Sequence, residues 1–300
     1  MEKVAQIPIL FAAGLEDLLA NDATRSRLER DLLPAYLVEQ RWFRSKTRKP
    51  ARMVFESWTR FPPEMENGSI LTVLKVVFEE GDSERYILPL TSVPETDDSI
   101  PVDAILCRIF CQQGKRLLID AVASSDFRAD LLRSLLNGFQ IPLGSGVLKG
   151  FPFSDDLKIT ATNNQNSSEL VGGEQSNTSL FFSGHFLKLY RRLEEGMHPE
   201  AEILRFLGKI RYPHVPSFHA DLEWKRPGHP PITIAVAQKR SEGLIVHAWP
   251  VGVNAMGGVD AEHKAGGLRT MPVLGAAAPS GVDASQKLAQ PAGVGARPRG

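Results

Sequence analysis

No phenylalanine, tyrosine or tryptophan follows Trp249 in this 300-residue chain. A segment without large apolar side chains cannot remove enough surface from water to offset the entropy of ordering its backbone. Residues 251–300 also hold 10 of the 25 glycines, with abundant alanine and few charges. No repeat of fixed period accompanies them, which excludes a collagen-like or solenoid array. The fold is therefore expected before residue 239, with residues 239–300 an unstructured Gly/Ala-rich tail. The abrupt change of text reads as a frameshift or an altered end.

The remaining length allows two domains. Lys and Arg number 35 and Asp and Glu number 35, a zero net charge that gives no reason to expect a nucleic-acid partner. Two cysteines exclude a disulfide-dense scaffold and a cysteine-built zinc site; Cys107 and Cys111 read as reduced, structural thiols. No apolar run approaches the ~18–20 residues that span a bilayer, so no membrane partner is expected. The opening residues read as an early strand and helix rather than a signal peptide, and the expected location is cytoplasmic.

Leucines at 15, 18, 19 and 28 recur near helical spacing, which predicts a helix over 13–31, and a short second helix from Pro34 to about Gln40. Trp42 and Phe43 follow among Arg41, Arg44 and Lys46; with no net charge, these read as buried aromatics with cations at the rim. Alternating runs at 54–59, 69–79 and 84–90 predict antiparallel strands, joined by turns at Asn67-Gly68 and Gly81-Asp82. A hairpin is expected over 104–110 and 116–120, and a helix over 125–137 with Ser125 as its cap. Gly144–Phe151 reads as a turn or strand, and 163–168 as a loop tip. His214 and His219, lying among prolines, read as surface loop residues. The fold class expected is α+β, with a cap subdomain at 1–95 and a second subdomain at 96–238.

From Gly172 the order of elements points to chemistry. A small polar loop at 172–179 precedes a strand at 180–182, a turn, a strand at 186–191 carrying Lys188, and a helix opening at Pro199 with early glutamates. Proline suits a first helical turn, and acidic residues suit its positive end. A loop of small residues lets backbone N–H groups approach phosphates. A strand lysine then places a cation against those phosphates, and a helix glutamate holds the lysine in position. The candidates are Ser176, Asn177, Thr178 and Ser179 for the loop, Lys188 for the cation and Glu202 for its partner. Each is weak alone, since hairpin turns, exposed strand lysines and helix-capping glutamates are common.

The text GGEQSNTSLFF…FLKLYRRLEEGMHPEAEILRFL resembles the ATP-binding lobe of bacterial maltokinase and of the kinase-like part of fused trehalose synthase–maltokinase proteins. LPAYLVEQRWFRSKTR resembles the opening of that family's N-terminal cap. The likeness extends over about residues 15–238. It implies a cap followed by a protein-kinase-like N-lobe, and transfer of the ATP γ-phosphate to maltose, giving maltose 1-phosphate for α-glucan synthesis. It also implies that Lys188 grips the phosphates, that Ser176–Ser179 cover them, and that Ala235 to Gln238 pass the adenine. ATP and Mg²⁺ are the implied cofactors.

The family's His-x-Asp catalytic loop and its acidic Mg²⁺ ligand have no counterpart after residue 238. The expectation is a catalytically incomplete chain that does not phosphorylate maltose unaided. The alternatives are a module docking on trehalose synthase or on a separate C-lobe, and a nonfunctional frameshifted product.

Overall fold

The computed structural model describes residues 7–65, 68–153, 168–171 and 177–240. Of the tail expected over 239–300, residues 241–300 lie outside the described residues, as do 163–167 of the loop tip expected over 163–168, and Ser176; Lys239 ends a strand and Ser168 opens one. The fold is α+β, as expected, and is built on two seven-stranded sheets.

The N-terminal region is not one helix over 13–31. It divides into α1 (Leu15–Ala20), α2 (Asp22–Arg27), a π-helical turn at Leu28–Leu32 and α3 (Leu33–Glu39). Asn21 causes the first break. It is extended at φ −80° and ψ 121°, and its side chain accepts hydrogen bonds from the Ala23 and Thr24 N–H groups, capping α2. Asparagine competes with helical backbone pairing in this way and favours caps. Pro34, which has no N–H to donate, enters the first turn of α3.

The first sheet contains β1 (Ile9–Phe11), β2 (Pro50–Phe61), β3 (Ser69–Phe78), β4 (Glu84–Pro94), β5 (Ile105–Cys111) and β6 (Gly114–Asp120). Its order is β1-β5-β6-β4-β3-β2, and β1 joins β5 in parallel. The sheet therefore continues past residue 95 to Asp120. β3 reads Ser-Ile-Leu-Thr-Val-Leu-Lys-Val-Val-Phe because both of its faces are covered. Ile70, Leu74, Val76 and Phe78 meet the N-terminal helices, with Leu18, Leu28, Leu33 and Leu37 opposite. Leu71 and Val73 face the second core. Trp42 and Phe43 are buried against Tyr86, ring centroids 5.9 and 5.3 Å away, while Arg41, Arg44 and Lys46 stay exposed, as the sequence suggests.

α4 (Ser125–Asn137) inserts Phe127, Leu131, Leu132, Leu135 and Leu136 into that second core. Its N-cap is Ser124, not Ser125, and no side chain closes the cap. The second sheet follows with β7 (Phe139–Leu143), β8 (Gly146–Pro152), β9 (Ser168–Val171), β10 (Asn177–Phe182) and β11 (His185–Tyr190). β12 (Arg192–Leu193) then returns to the first sheet and pairs with β4. After α5 (Pro199–Lys209), β13 (Phe218–Lys225) and β14 (Ile232–Lys239) complete the second sheet in the order β7-β8-β13-β14-β11-β10-β9.

β7 and β13 were not expected. His219 in particular is no surface loop residue: it lies in β13 and is 6% exposed. β13 alternates apolar Ala220, Leu222 and Trp224 with polar His219, Asp221 and Glu223. Asp221 and Glu223 read as a solvated face, but Arg205 of α5 covers them, while His219, at a register shift beside Phe218, is buried against His185.

Candidate functional site

Lys188 stands in β11 between Leu187 and Leu189. Those leucines enter the core under α4, so strand alternation turns Lys188 and Tyr190 to the opposite face. α5 lies on that face and packs Ala201 and Leu204 against Tyr190, Phe218 and Val236. The Lys188 side chain is 4% exposed, and its Nζ sits 2.9 Å from Glu200 Oε2. The Tyr190 hydroxyl donates to the same oxygen at 2.8 Å. His198 stacks on Tyr190 with centroids 3.9 Å apart, and its Nδ1 accepts the Glu200 N–H at the start of α5. Burial holds the His198 pKa below its usual value; the Lys188 charge acts in the same direction and Glu200 against it.

The lysine's helix partner is thus Glu200, two residues before the expected Glu202. At about 100° per residue, Ala201 and Leu204 define the stripe of α5 that meets the sheet. Glu200 flanks one side of that stripe and Arg205 the other. Glu202 lies further round and is exposed. On the far flank, Arg205 contacts Asp221 and bonds Glu223 Oε1 at 2.6 Å. Asp221 is fully buried, and its pKa is pushed up to about 6, chiefly by burial, with the charge of Glu223 adding to the effect and Arg205 opposing it.

Of the expected phosphate-contacting residues, Asn177, Thr178 and Ser179 already belong to β10. They pair with Tyr190, Leu189 and Lys188 respectively. Asn177 and Ser179 therefore share the Lys188 face, and Thr178 points to the opposite face. Ser179 Oγ is buried without a hydrogen-bond partner, directly across from the lysine. Ala235 to Gln238 lie inside β14, paired with β11 on one side and β13 on the other. Pairing continues to Arg240, whose N–H donates to the Gly184 carbonyl at 3.0 Å. Val236 falls between Lys188 and Asp221 in one cross-strand row.

His219-Ala220-Asp221 is a His-x-Asp text, but it is strand, paired on both edges, with Asp221 sealed under α5. His219 faces His185 with Nδ1 atoms 2.9 Å apart, and burial first, then the charges of His185 and Lys239, lower its pKa to about 4. Among the described residues, no group of three or more His, Cys, Asp or Glu side chains could hold a metal ion. No helix among them is long and apolar enough to cross a membrane.

Residues 36–123 match the family model of the maltokinase N-terminal cap domain. Two solved structures of glucosamine kinase also match. One, in complex with glucosamine, ADP and inorganic phosphate, is 14% identical with a TM-score of 0.37, and covers 60% of this chain and 34% of that one. The other, crystal form A, is 16% identical with a TM-score of 0.37, and covers 65% and 36%. This chain spans about a third of the length of those kinase chains. From Tyr36 to Ala123, a stretch that includes Trp42 and most of the first sheet, the chain is similar to the N-terminal cap of maltokinases.

Proposed function

We propose that this chain carries the cap and the nucleotide-binding lobe of a maltokinase-like kinase, with the first sheet as cap and the second sheet with α5 as lobe. The observation that carries the reading is the buried Lys188 paired to Glu200, with the unpartnered Ser179 Oγ across from it. A strand lysine held by a helix glutamate is the arrangement that grips nucleotide phosphates in kinases. ATP is the ligand this site fits. Lys188 would meet its phosphates, and Asn177 and Ser179 would lie along them. The backbone of Ala235 to Gln238 is already paired on both sides and leaves no free edge for the adenine. Among the described residues no cluster of three or more His, Cys, Asp or Glu side chains could hold a metal ion, and no step is assigned to Mg²⁺.

Transfer of the γ-phosphate to maltose needs a base near the sugar hydroxyl. His219-Ala220-Asp221 cannot supply one from within a covered strand. We therefore propose that these 300 residues alone bind ATP without phosphorylating maltose. A second reading, a docking module for trehalose synthase or a separate C-lobe, is favoured by the outer face of α5. There Ile203 and Phe206 are 57% and 60% exposed, with Ile210 at the helix C-cap 55% exposed beside them. Calorimetry with ATP and Mg²⁺ on the wild type and Lys188→Ala separates the two. Saturable binding lost in the variant supports the nucleotide lobe. A folded wild type that binds no ATP removes it and leaves docking.

A further inference from the structure

Arg191 follows the Lys188 strand directly, and its side chain is 2% exposed. Strand alternation points it away from α5, toward the first sheet. Its Nε donates to Thr178 Oγ1 at 2.7 Å, and its Nη2 pairs with the buried Asp120 at 2.7 Å. Its guanidinium lies 4.9 Å from the centroid of the Trp42 ring. Its carbonyl accepts the Ile87 N–H at 2.8 Å, and the next two residues pair with Tyr86 and Arg85 of β4. One side chain thus joins Asp120 of the first sheet, and Trp42 packed against that sheet, to β10, through Thr178. The same stretch of backbone ties the segment between Lys188 and Glu200 to β4.

We propose that Arg191 is a positioning residue through which the first sheet sets the register and rigidity of the Lys188 and Ser179 strands. The inference rests on the nucleotide reading only for its functional consequence. The planar fork reaches Asp120 and Thr178 together while its face rests on the indole, a geometry a lysine cannot reproduce. Thr178 faces away from Lys188, so its hydroxyl acts on the site through the backbone of β10. Trp42 and Asp120 then influence a ligand held on the far side of the second sheet. Coupling of this kind typically changes affinity by roughly 5-fold or more.

The test is hydrogen exchange on the full chain, for the wild type, Arg191→Lys, Thr178→Val and Trp42→Leu, with ATP affinity measured alongside. Thr178→Val removes one hydroxyl and leaves the Arg191–Asp120 pair, so it keeps the test informative if Arg191→Lys fails to fold. The expected result is faster exchange in residues 177–190, by roughly 5-fold or more, with residues 139–150 unchanged. Where the wild type binds ATP, the same variants weaken it by a similar factor. Uniform acceleration over both segments would mean a general stabilising role and overturn the proposal, as would unchanged exchange at 177–190. Altered exchange with a wild type that binds no ATP would retain the coupling and reject the nucleotide reading instead.

Discussion

Replacing Glu200 by Gln removes one charge and almost no volume, and the amide oxygen can still accept from Tyr190. What is lost is the charge facing Lys188 at 2.9 Å. The gross attraction at that distance is about 6 kcal/mol for an effective dielectric near 20. Much of it offsets the desolvation of an ammonium that is 4% exposed. Breaking a fully buried pair costs about 3–5 kcal/mol, and an exposed pair contributes about 0–1 kcal/mol. Glu200 is 31% exposed, which places the expected loss between those limits, at about 2 kcal/mol. For a folded unit of this size that lowers Tm by about 4–8 °C. Glu202→Gln, on the exposed side of α5, is expected to change stability by less than about 0.5 kcal/mol. Thermal denaturation of both variants in low salt gives the comparison, and ATP calorimetry on each adds a functional readout that should fall only for Glu200→Gln. A Glu202→Gln variant that loses as much stability as Glu200→Gln, or an unaffected Glu200→Gln, would refute the assignment of the helix partner.

Asp221, with its pKa raised to about 6 by burial, favours the folded state in its neutral form. Its stabilising contribution is complete below about pH 4 and is lost as pH rises through 6. Urea denaturation from pH 5 to pH 7.5 should therefore show Asp221→Asn gaining on the wild type with rising pH, by about 1.4 kcal/mol over that window; a pH-independent difference would contradict the burial argument. His219 works in the opposite sense, since its pKa is lowered to about 4. Wild-type stability should fall as pH drops from 6.5 toward 4, and His219→Gln should flatten that limb. Gly146→Ala would push a methyl group into the Lys225 carbonyl oxygen and against Trp224 Nε1; a loss of about 1–3 kcal/mol is expected, and a variant as stable as the wild type would argue against this close approach of β8 to β13.

Much of the order of elements was legible because β2 to β6 of the first sheet and the helix at 125–137 carry their own periods. Lys188 was legible as a candidate because it interrupts an apolar strand just before a helix with acidic residues at its start. The choice between Glu200 and Glu202 was not, because both occupy the first turn of α5 and both suit its dipole. Which one faces the lysine depends on how far the helix is rotated when Ala201 and Leu204 meet Tyr190, Phe218 and Val236. β13 was hidden for a related reason. His219, Asp221 and Glu223 alternate with apolar residues as a solvated strand would, and only α5 over Asp221 and Glu223, and His185 beside His219, make them interior. Arg191 looked like the cationic end of the 186–191 strand, with nothing local to mark it as buried.

Local chemistry therefore specified most strands of the first sheet, the helix at 125–137 and the buried Trp42–Phe43 pair, and marked Lys188 as a candidate; the break at Asn21 was not among its readings. Each reading follows from a residue and its near neighbours along the chain, through periodicity or the paired aromatics. The tertiary structure alone decided which carboxylate meets Lys188, that Asp221 lies sealed under α5, and that Arg191 links Trp42 and Asp120 to Thr178. Those contacts join residues 12 to 149 positions apart, and their geometry exists only once helix and sheets have packed.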